Sequence, residues 1–503
     1  MNQPESAVPS NAWRSLWAMV AGFFMILVDS TIVTVATPTI MTELGADVAA
    51  VVWVSSAYLL AYAVPLLITG RLGDRFGPKQ IYLLGLIVFT LASLACGLTN
   101  TVEMLVMARV VQGLGASLMT PQTMAVITRL FPPHQRGKAM AIWGATAGLA
   151  MLVGPLLGGL LIGMLGWEWI FFINVPIGVV GYIAAARLVP DLEKNRHRFD
   201  WLGVVLSGAG LFCIVFSLQE ATSHDWGVIY GPISVTSLLI TGVLLLVVFV
   251  LWQWRNPDEP LMPLALFKDR NFSVANLAIA LVGLTSVATP YPLMMWAQQA
   301  RGLTPLAAAL MNAPAAVVTL VVSNWTGRLV NQVHPRYLTV TGALVWSGSL
   351  LATAHFLDMT TPVWVPIATM TLTGAAGSLV FSPLSSSATA NLPPMRAGAG
   401  SGVYNSTRQV GSVLGSALIA TVMSALLLTH VGSEPGQEEA IPETAREGIA
   451  AAMSTTLLLP AASIFLVAVI ACFLEPDLAH LVSFPGVVDG VEPGLDVVGD
   501  GVF

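Results

Sequence analysis

Charge is what this sequence has least of. Only 10% of its 503 residues are Asp, Glu, Lys or Arg, against roughly a quarter in a soluble domain. So few charges cannot cover a surface that faces water on all sides, which excludes an ordinary soluble globular protein. Cysteine is also scarce: Cys96, Cys213 and Cys472 sit in three different apolar segments. An odd, scattered set excludes a disulfide framework. The 7 histidines never take a His-Glu-x-x-His spacing, and no convergent nucleophile set stands out, so neither a metal site nor an enzyme is expected. A phosphate-cradling loop is missing too. "RGKAM" at 136–140 has neither the upstream glycines nor the Ser/Thr that such a loop needs, which excludes an ATP-driven pump. No cofactor and no nucleic-acid partner are expected. The net charge of −6 says little.

What the chain does have is apolar residues, 55% of the total. They come in runs of about 20, each long enough to cross ~30 Å of hydrocarbon as a helix. The reading is an all-α, polytopic membrane protein with fourteen spans: 13–40, 51–69, 80–98, 103–125, 138–163, 169–186, 201–218, 232–252, 272–294, 305–326, 337–357, 363–388, 399–428 and 450–474. The polar start "MNQPESAVPSN" gives no sign of a cleaved signal peptide.

The placement of Lys and Arg tests that count, because they collect in cytoplasmic segments. With the N-terminus inside, 17 of the 21 basic residues fall on the inner side. Arg301 and Arg446 fall outside, and Arg109 and Arg408 lie within spans. Both termini are then expected in the cytoplasm of a multi-pass plasma-membrane protein. The outer segment 429–449 is acidic, with Glu434, Glu438, Glu439, Glu443 and Glu447. The end of the chain is Gly-rich without Lys or Arg and reads as disordered.

One stretch is written twice. "GRLGDRFGPK" (70–79) returns as "GRLVNQVHPR" (327–336), 257 residues later, with four identities and a Lys/Arg exchange. The central Asp74 becomes Asn331. A second pair, 132–154 and 393–415, shares Pro-Pro, an Arg (Arg136, Arg396) and a helix of small residues at nearly the same offset. The chain therefore divides into a tail (1–12), a six-helix bundle (13–187), an insertion holding spans 7 and 8 (188–270), a second six-helix bundle (271–475) and a second tail (476–503). Two such halves related by an axis along the membrane normal are a transporter architecture.

Four motifs carry a family resemblance over about residues 13–475: "LVDSTIVTVATP" (27–38), "GRLGDRFGPK" (70–79), "RVVQGLGAS" (109–117) and "GLAMLVGPLLGG" (148–159). In order and on these spans, the chain resembles the major facilitator superfamily, in particular the fourteen-span drug:proton antiporters of the EmrB/QacA type. It departs from that family's usual pattern at Pro78, Thr34 and Glu168.

Proton coupling needs a group that changes charge inside the membrane, where such groups are costly. Asp29 is the one carboxylate placed deep within a span. It lies roughly 16 Å from the outer end of its helix and Arg109 roughly 9 Å, at 1.5 Å per residue. The two could pair, with a proton or a cationic cargo competing for Asp29; a permanent structural ion pair is the plainer alternative. Gly70, Gly73 and Gly77 suit a tight turn. Asp74 could sit at a helix N-terminus or accept from Arg71, Arg75, Arg129 or Arg136; the resemblance makes this loop a latch reaching to the other half. Gly148, Gly154, Gly158 and Gly159 allow close helix packing and Pro155 a bend; the resemblance adds a hinge that favours exchange over uniport. Tyr58, Tyr62, Gln112, Met119, Tyr291, Met294, Trp296, Asn312, Asn405 and Arg408 are candidate linings of an adaptable pocket, although aromatic and Met residues also fill cores. For Arg408, cavity lining and plain interhelical hydrogen bonding stand side by side. The expected function is export of drugs or amphipathic compounds in exchange for protons, by a monomer. Export of a lipid, siderophore or metabolite, or uncoupled uniport, are the rivals.

Overall fold

The computed structural model describes residues 12–131, 133–192, 200–221, 224–256, 260–330, 332–392, 394–431 and 443–475. Most of both expected tails, the stretch with Glu434, Glu438 and Glu439, and Asn331 of the second loop lie outside the described residues, as do the side chains of Arg136 and Arg396.

The first eight helices are α1 (Ala12–Leu44), α2 (Val48–Ala63), α3 (Leu66–Phe76), α4 (Pro78–Gly97), α5 (Val102–Leu130), α6 (Pro133–Leu165), the short α7 (Trp169–Phe172) and α8 (Asn174–Leu188). Next come α9 (Trp201–Glu220), a two-stranded hairpin of β1 (Val228–Tyr230) and β2 (Ile233–Ser234), and α10 (Val235–Arg255). The last eight are α11 (Arg270–Ala288), α12 (Pro290–Met295), α13 (Pro305–Leu329), α14 (Pro335–Phe356), α15 (Trp364–Ala390), α16 (Pro394–Val431), α17 (Glu443–Thr456) and α18 (Leu458–Ala471).

Local chemistry sets many of these boundaries. Asp47, Thr101, Asp200, Ser234 and Asp269 each accept a backbone N–H of the helix that follows, the N-cap role of short polar side chains. Gly77 has φ +103°, a conformation that glycine takes without strain, and Pro78 then opens α4 where its missing N–H costs nothing. That gives Pro78 a structural use at the position where the loop motif departs from its usual form. The span expected at 51–69 is broken instead: α2 stops at Ala63, and the chain bends by 51° before running on as α3. Pro65 stands at the break, without an N–H and with a ring that crowds the preceding turn. The expected span at 450–474 likewise divides into α17 and α18, just before Pro460.

Among the described residues, twelve segments are long and apolar enough to cross a membrane, and the bent pair α2–α3 makes a thirteenth if it is one span. The 33-residue helix α6 holds a shorter apolar stretch, Leu152–Leu165. Aromatic side chains stand out at both rims: Trp17, Trp254 and Trp325 at the end where α1 starts, here the near end, and Trp169, Trp226 and Trp364 at the far end. Such girdles mark the two interfaces of a bilayer.

The same packing order occurs twice. In the first part α1 packs on α6 and α8, α4 on α5 and α8, and α2 on α5; in the last part α11 packs on α16 and α18, α14 on α15 and α18, and α13 on α15. Between the two parts, α2 meets α16 and α6 meets α13, the pair of seams that a two-fold axis would produce. Glycines set the closest crossings. A Cβ on Gly154 of α6 would stand 2.0 Å from the Thr31 hydroxyl of α1, and one on Gly411 of α16 would stand 1.9 Å from the Ala280 carbonyl of α11. Between helices bathed in lipid, such close approach supplies the van der Waals contact that water would otherwise enforce. The inserted α9 and α10 cross each other at Gly210 and Gly242. They join the rest through α9, where the Gln219 amide donates to Ser56 of α2 (2.5 Å) and Ser56 donates to Ser416 of α16 (2.8 Å).

Candidate functional site

Asp29 lies near the middle of α1, with an exposure of 0%. Arg109 and Gln112 lie three residues apart on α5, hence on one face of that helix. Nη1 of Arg109 donates to Oδ2 of Asp29 (2.5 Å) and to Oε1 of Gln112 (2.7 Å). The Gln112 amide in turn donates to Oδ1 of Asp29 (2.8 Å). Asn174, the first residue of α8, donates to the same Oδ1 (3.0 Å) and to the Ser93 hydroxyl of α4 (3.0 Å). The Arg109 Nε donates to the Val54 carbonyl of α2 (3.2 Å), and its guanidinium lies 4.0 Å from the centre of the Tyr58 ring.

Five helices of the first bundle thus converge on one carboxylate. Removing two charges from water costs several kcal/mol per ion, and the cost is recovered only if the remaining donors and acceptors are satisfied. Here Gln112, Asn174, Val54 and the Tyr58 face do so. Chemically, such a site can take one proton. Neutralising Asp29 would leave the guanidinium without its counter-ion while Val54 and Tyr58 still hold it to α2.

The structure brings Asp29 and Arg109 together, as the sequence pairing expects. Gln112, read as a pocket lining, instead belongs to the shell of the carboxylate. Asn174 and Ser93 were missed. The one available signal was a lone amide at a helix start inside "WEWIFFINVPIG" (167–178). Direct competition of a cargo for Asp29 needs an open approach to the carboxylate; in this conformation the shell closes around it.

The repeated stretch is more helical than a turn. Gly70, Gly73, Asp74 and Arg75 belong to α3, and the turn is confined to Gly77. Asp74 therefore lies in the last turn of a helix rather than at a helix N-terminus. Its carboxylate pairs with Arg129 of α5, a contact inside the first bundle, with side-chain exposures of 31% and 25%. Gly73 has another use: a Cβ there would stand 1.8 Å from Oε1 of Gln122 on α5, so any side chain would have to displace the Gln122 amide. Arg75 lies over the Phe76 ring at 5.4 Å, and Arg71 donates to the Pro260 carbonyl (2.6 Å).

In α6, Gly154 and Gly158 face Thr31 and Ile32 of α1, just past Asp29. Gly159 faces the Pro305–Leu306 backbone of α13, across the seam. Pro155 lies between them and Gly148 a turn and a half earlier in the same helix. At this far end the two parts also share a hydrogen bond, from the Gln298 amide to the Val35 carbonyl (3.0 Å).

The expected pocket linings separate into two groups. Tyr58, Tyr62, Met119, Tyr291, Met294 and Trp296 are buried. Tyr62 donates to Thr120 (3.0 Å), Met119 packs by Gly22, and Trp296 donates to the Asp358 carbonyl (3.2 Å). They present no open surface in this conformation. Asn312, Asn405 and Arg408 remain partly exposed.

Residues 18–416 match the family model described as Major Facilitator Superfamily. The chain is 46% identical over 500 residues to an uncharacterised MFS-type transporter, Rv1250, of Mycobacterium tuberculosis, covering 97% of this chain and 84% of that protein. It is 32% identical to the tetracenomycin C resistance and export protein of Streptomyces glaucescens (84% of this chain, 78% of that one). It is 29% identical to the multidrug export protein EmrB of Escherichia coli (80% and 79%). Among solved structures, a D-xylose-proton symporter aligns with a TM-score of 0.65 at 13% identity, over 93% of this chain and 99% of that one. This multi-pass membrane protein, a transporter rather than an enzyme, belongs to the major facilitator superfamily, in its EmrB/QacA-type branch.

Proposed function

We propose that this protein is a secondary active transporter that exports drugs or other amphipathic compounds in exchange for protons, by alternating access. The carrying observation is the Asp29 carboxylate, sealed at mid-helix against Arg109, Gln112 and Asn174. An ionisable group at such a depth is costly and is retained where it works. The printed functions of two relatives, tetracenomycin C resistance and export and multidrug export, support the export direction and the cargo class.

In this reading the chain has fourteen spans, with α2–α3 as one and α6 as another, and both termini are cytoplasmic in a plasma-membrane monomer. Residues 13–187 and 271–475 are the two bundles, and 188–270 the insertion. A proton from outside neutralises Asp29 and frees Arg109. Arg109 remains attached to α2 through Val54 and Tyr58, and α2 meets α16 at Ser56–Ser416. The neighbouring turn of α1 meets Gly154 and Gly158 of α6, which meets α13 at Gly159. Both seams are therefore touched by elements that the protonation changes. Proton and cargo exclude each other through these helices rather than by contact at one carboxylate. Loss of the proton to the inside restores the pair.

Uptake into everted vesicles tests this. A pH gradient, acid inside, should drive accumulation of an amphipathic dye in wild-type vesicles, and Asp29→Asn should abolish that accumulation while preserving counterflow of preloaded dye. Full pH-driven uptake by Asp29→Asn rejects the mechanism and directs attention to Glu168 or Glu220. Uptake indifferent to the gradient in the wild type favours uniport, and uptake of lipid or siderophore alone favours the endogenous-cargo reading.

A further inference from the structure

The charge left over inside the spans is positive. Asp29 is matched by Arg109, and its second oxygen is filled by two amides. Arg408, in the first half of α16, has no such match. Among the described residues its guanidinium carries no ion pair and no hydrogen bond, and it keeps partial exposure. One helical turn earlier on the same face, Tyr404 is 7% exposed and its hydroxyl has no partner. Ser406, between them, is also buried with an unpartnered hydroxyl. Buried polar atoms are nearly always hydrogen-bonded, so two orphaned hydroxyls beside an unpaired guanidinium need a cause.

Their place in the fold suggests it. The Arg408 backbone packs on Gly283 of α11, its guanidinium lies within electrostatic reach of Tyr404 and of Tyr62 of α2 in the other bundle, and α16 meets α2 further along at Ser416–Ser56. Arg408 thus stands at the α2–α16 seam, where alternating access opens and closes. An uncompensated guanidinium in a low-dielectric seam attracts an anion and repels a cation. Its planar donor fork matches a carboxylate or phosphate.

We propose that Arg408, with the Tyr404 hydroxyl beside it, is the anchor for an anionic group, carboxylate or phosphate, on the transported compound. This deepens the exporter reading and rests on it for the word cargo, but the anion site itself needs no proton gradient to be observed. It sets the substrate class as acidic amphiphiles, because the apolar helices around the seam take the body of the molecule while Arg408 takes its charge.

Equilibrium binding to the purified full-length protein in neutral phosphatidylcholine nanodiscs separates the two readings. Fluorescein and rhodamine 6G share a xanthene frame and carry opposite charge. The wild type should bind fluorescein more tightly. Arg408→Gln should shift the ratio of the two dissociation constants at least tenfold toward rhodamine, about 1.4 kcal/mol. Arg408→Lys, which keeps the charge but not the fork, should recover part of that shift, and Tyr404→Phe should lose a smaller part. Phosphatidylglycerol added to the discs separates the sources of the anion: displacement of fluorescein by it identifies a lipid headgroup as a competing occupant, and no displacement restricts the site to the smaller molecule. No fluorescein binding to the wild type, a wild-type preference for the cation, or an equal loss of both dyes in Arg408→Gln overturns the proposal. Charge-selective binding without pH-driven transport leaves the anchor standing and rejects the proton-coupled reading instead.

Discussion

The Asp29 carboxylate and the Arg109 guanidinium meet at 2.5 Å, with exposures of 0% and 1%. Removing one member of such a pair strands the other. Arg109→Leu should lower the stability of the protein in detergent by about 3–5 kcal/mol. The double variant Asp29→Asn, Arg109→Leu should recover most of that loss, because no unpaired charge is left. Thermal unfolding of the two single variants and the double one measures the coupling. An Arg109→Leu protein within about 1 kcal/mol of wild type would show that the site tolerates an uncompensated carboxylate.

Asp74 and Arg129 form another ion pair within the first bundle, a partly exposed one. Such a pair contributes up to about 1 kcal/mol to stability, so its loss should appear in the rate of transport. Asp74→Asn and Arg129→Gln should slow export alike and leave equilibrium binding of the cargo largely unchanged. If Asp74→Asn transports at the wild-type rate, this charge has no part in the cycle.

Three glycines predict a graded series in unfolding temperature. At Gly411 a methyl would strike the Ala280 backbone, which cannot step aside; at Gly154 it would strike the Thr31 side chain; at Gly163 it would meet nothing within 4 Å. Alanine should therefore cost most at 411, on the order of 1–3 kcal/mol at 154, and within about 0.5 kcal/mol of nothing at 163. A Gly411→Ala protein as stable as Gly163→Ala would contradict the α11–α16 crossing.

Asp200 gives a pH dependence outside the spans. Burial raises its pKa, but Gln253, Trp252 and the backbone N–H groups of Gly203 and Leu261 donate to the carboxylate and outweigh it, so the net direction is below the ordinary 3.8. A depressed folded-state pKa means that the stabilisation is complete above the ordinary value and is lost as the pH falls through the folded one. Unfolding of the wild type should therefore become easier below about pH 4, and Asp200→Asn should remove that part of the pH profile. An unchanged acid limb in Asp200→Asn would mean that the carboxylate is equally acidic in the unfolded chain.

Glu439 tests the membrane orientation. In a background with Cys96, Cys213 and Cys472 replaced by Ser, Glu439→Cys should react with an impermeant maleimide in intact cells. Labelling only after permeabilisation would reverse the segment 429–449 and with it the fourteen-span count.

The sequence by itself determined the class of molecule, the repeat and the family. Lipid leaves an exposed backbone few partners beyond its own helix, so most spans are written as apolar runs long enough to cross the bilayer. The cations fall on alternate sides of the expected spans, and the offset of 257 residues matches one stretch to its second copy. The pair Asp29–Arg109 was legible because charges so deep in a span are few. Only the tertiary structure decided which residues surround that pair and which remain alone. Lipid tails are as apolar as a packed helix face, so the apolar pattern of a span does not say which side meets protein. That is why Asn174 went unnoticed, why Gln112 moved from pocket to ion-pair shell, and why six aromatic and Met candidates proved to be packed. It is also why Arg408, one basic residue among 21 in the sequence, is recognisable as a cation within a span that has no ion-pair partner among the described residues only when the α2–α16 seam is in place.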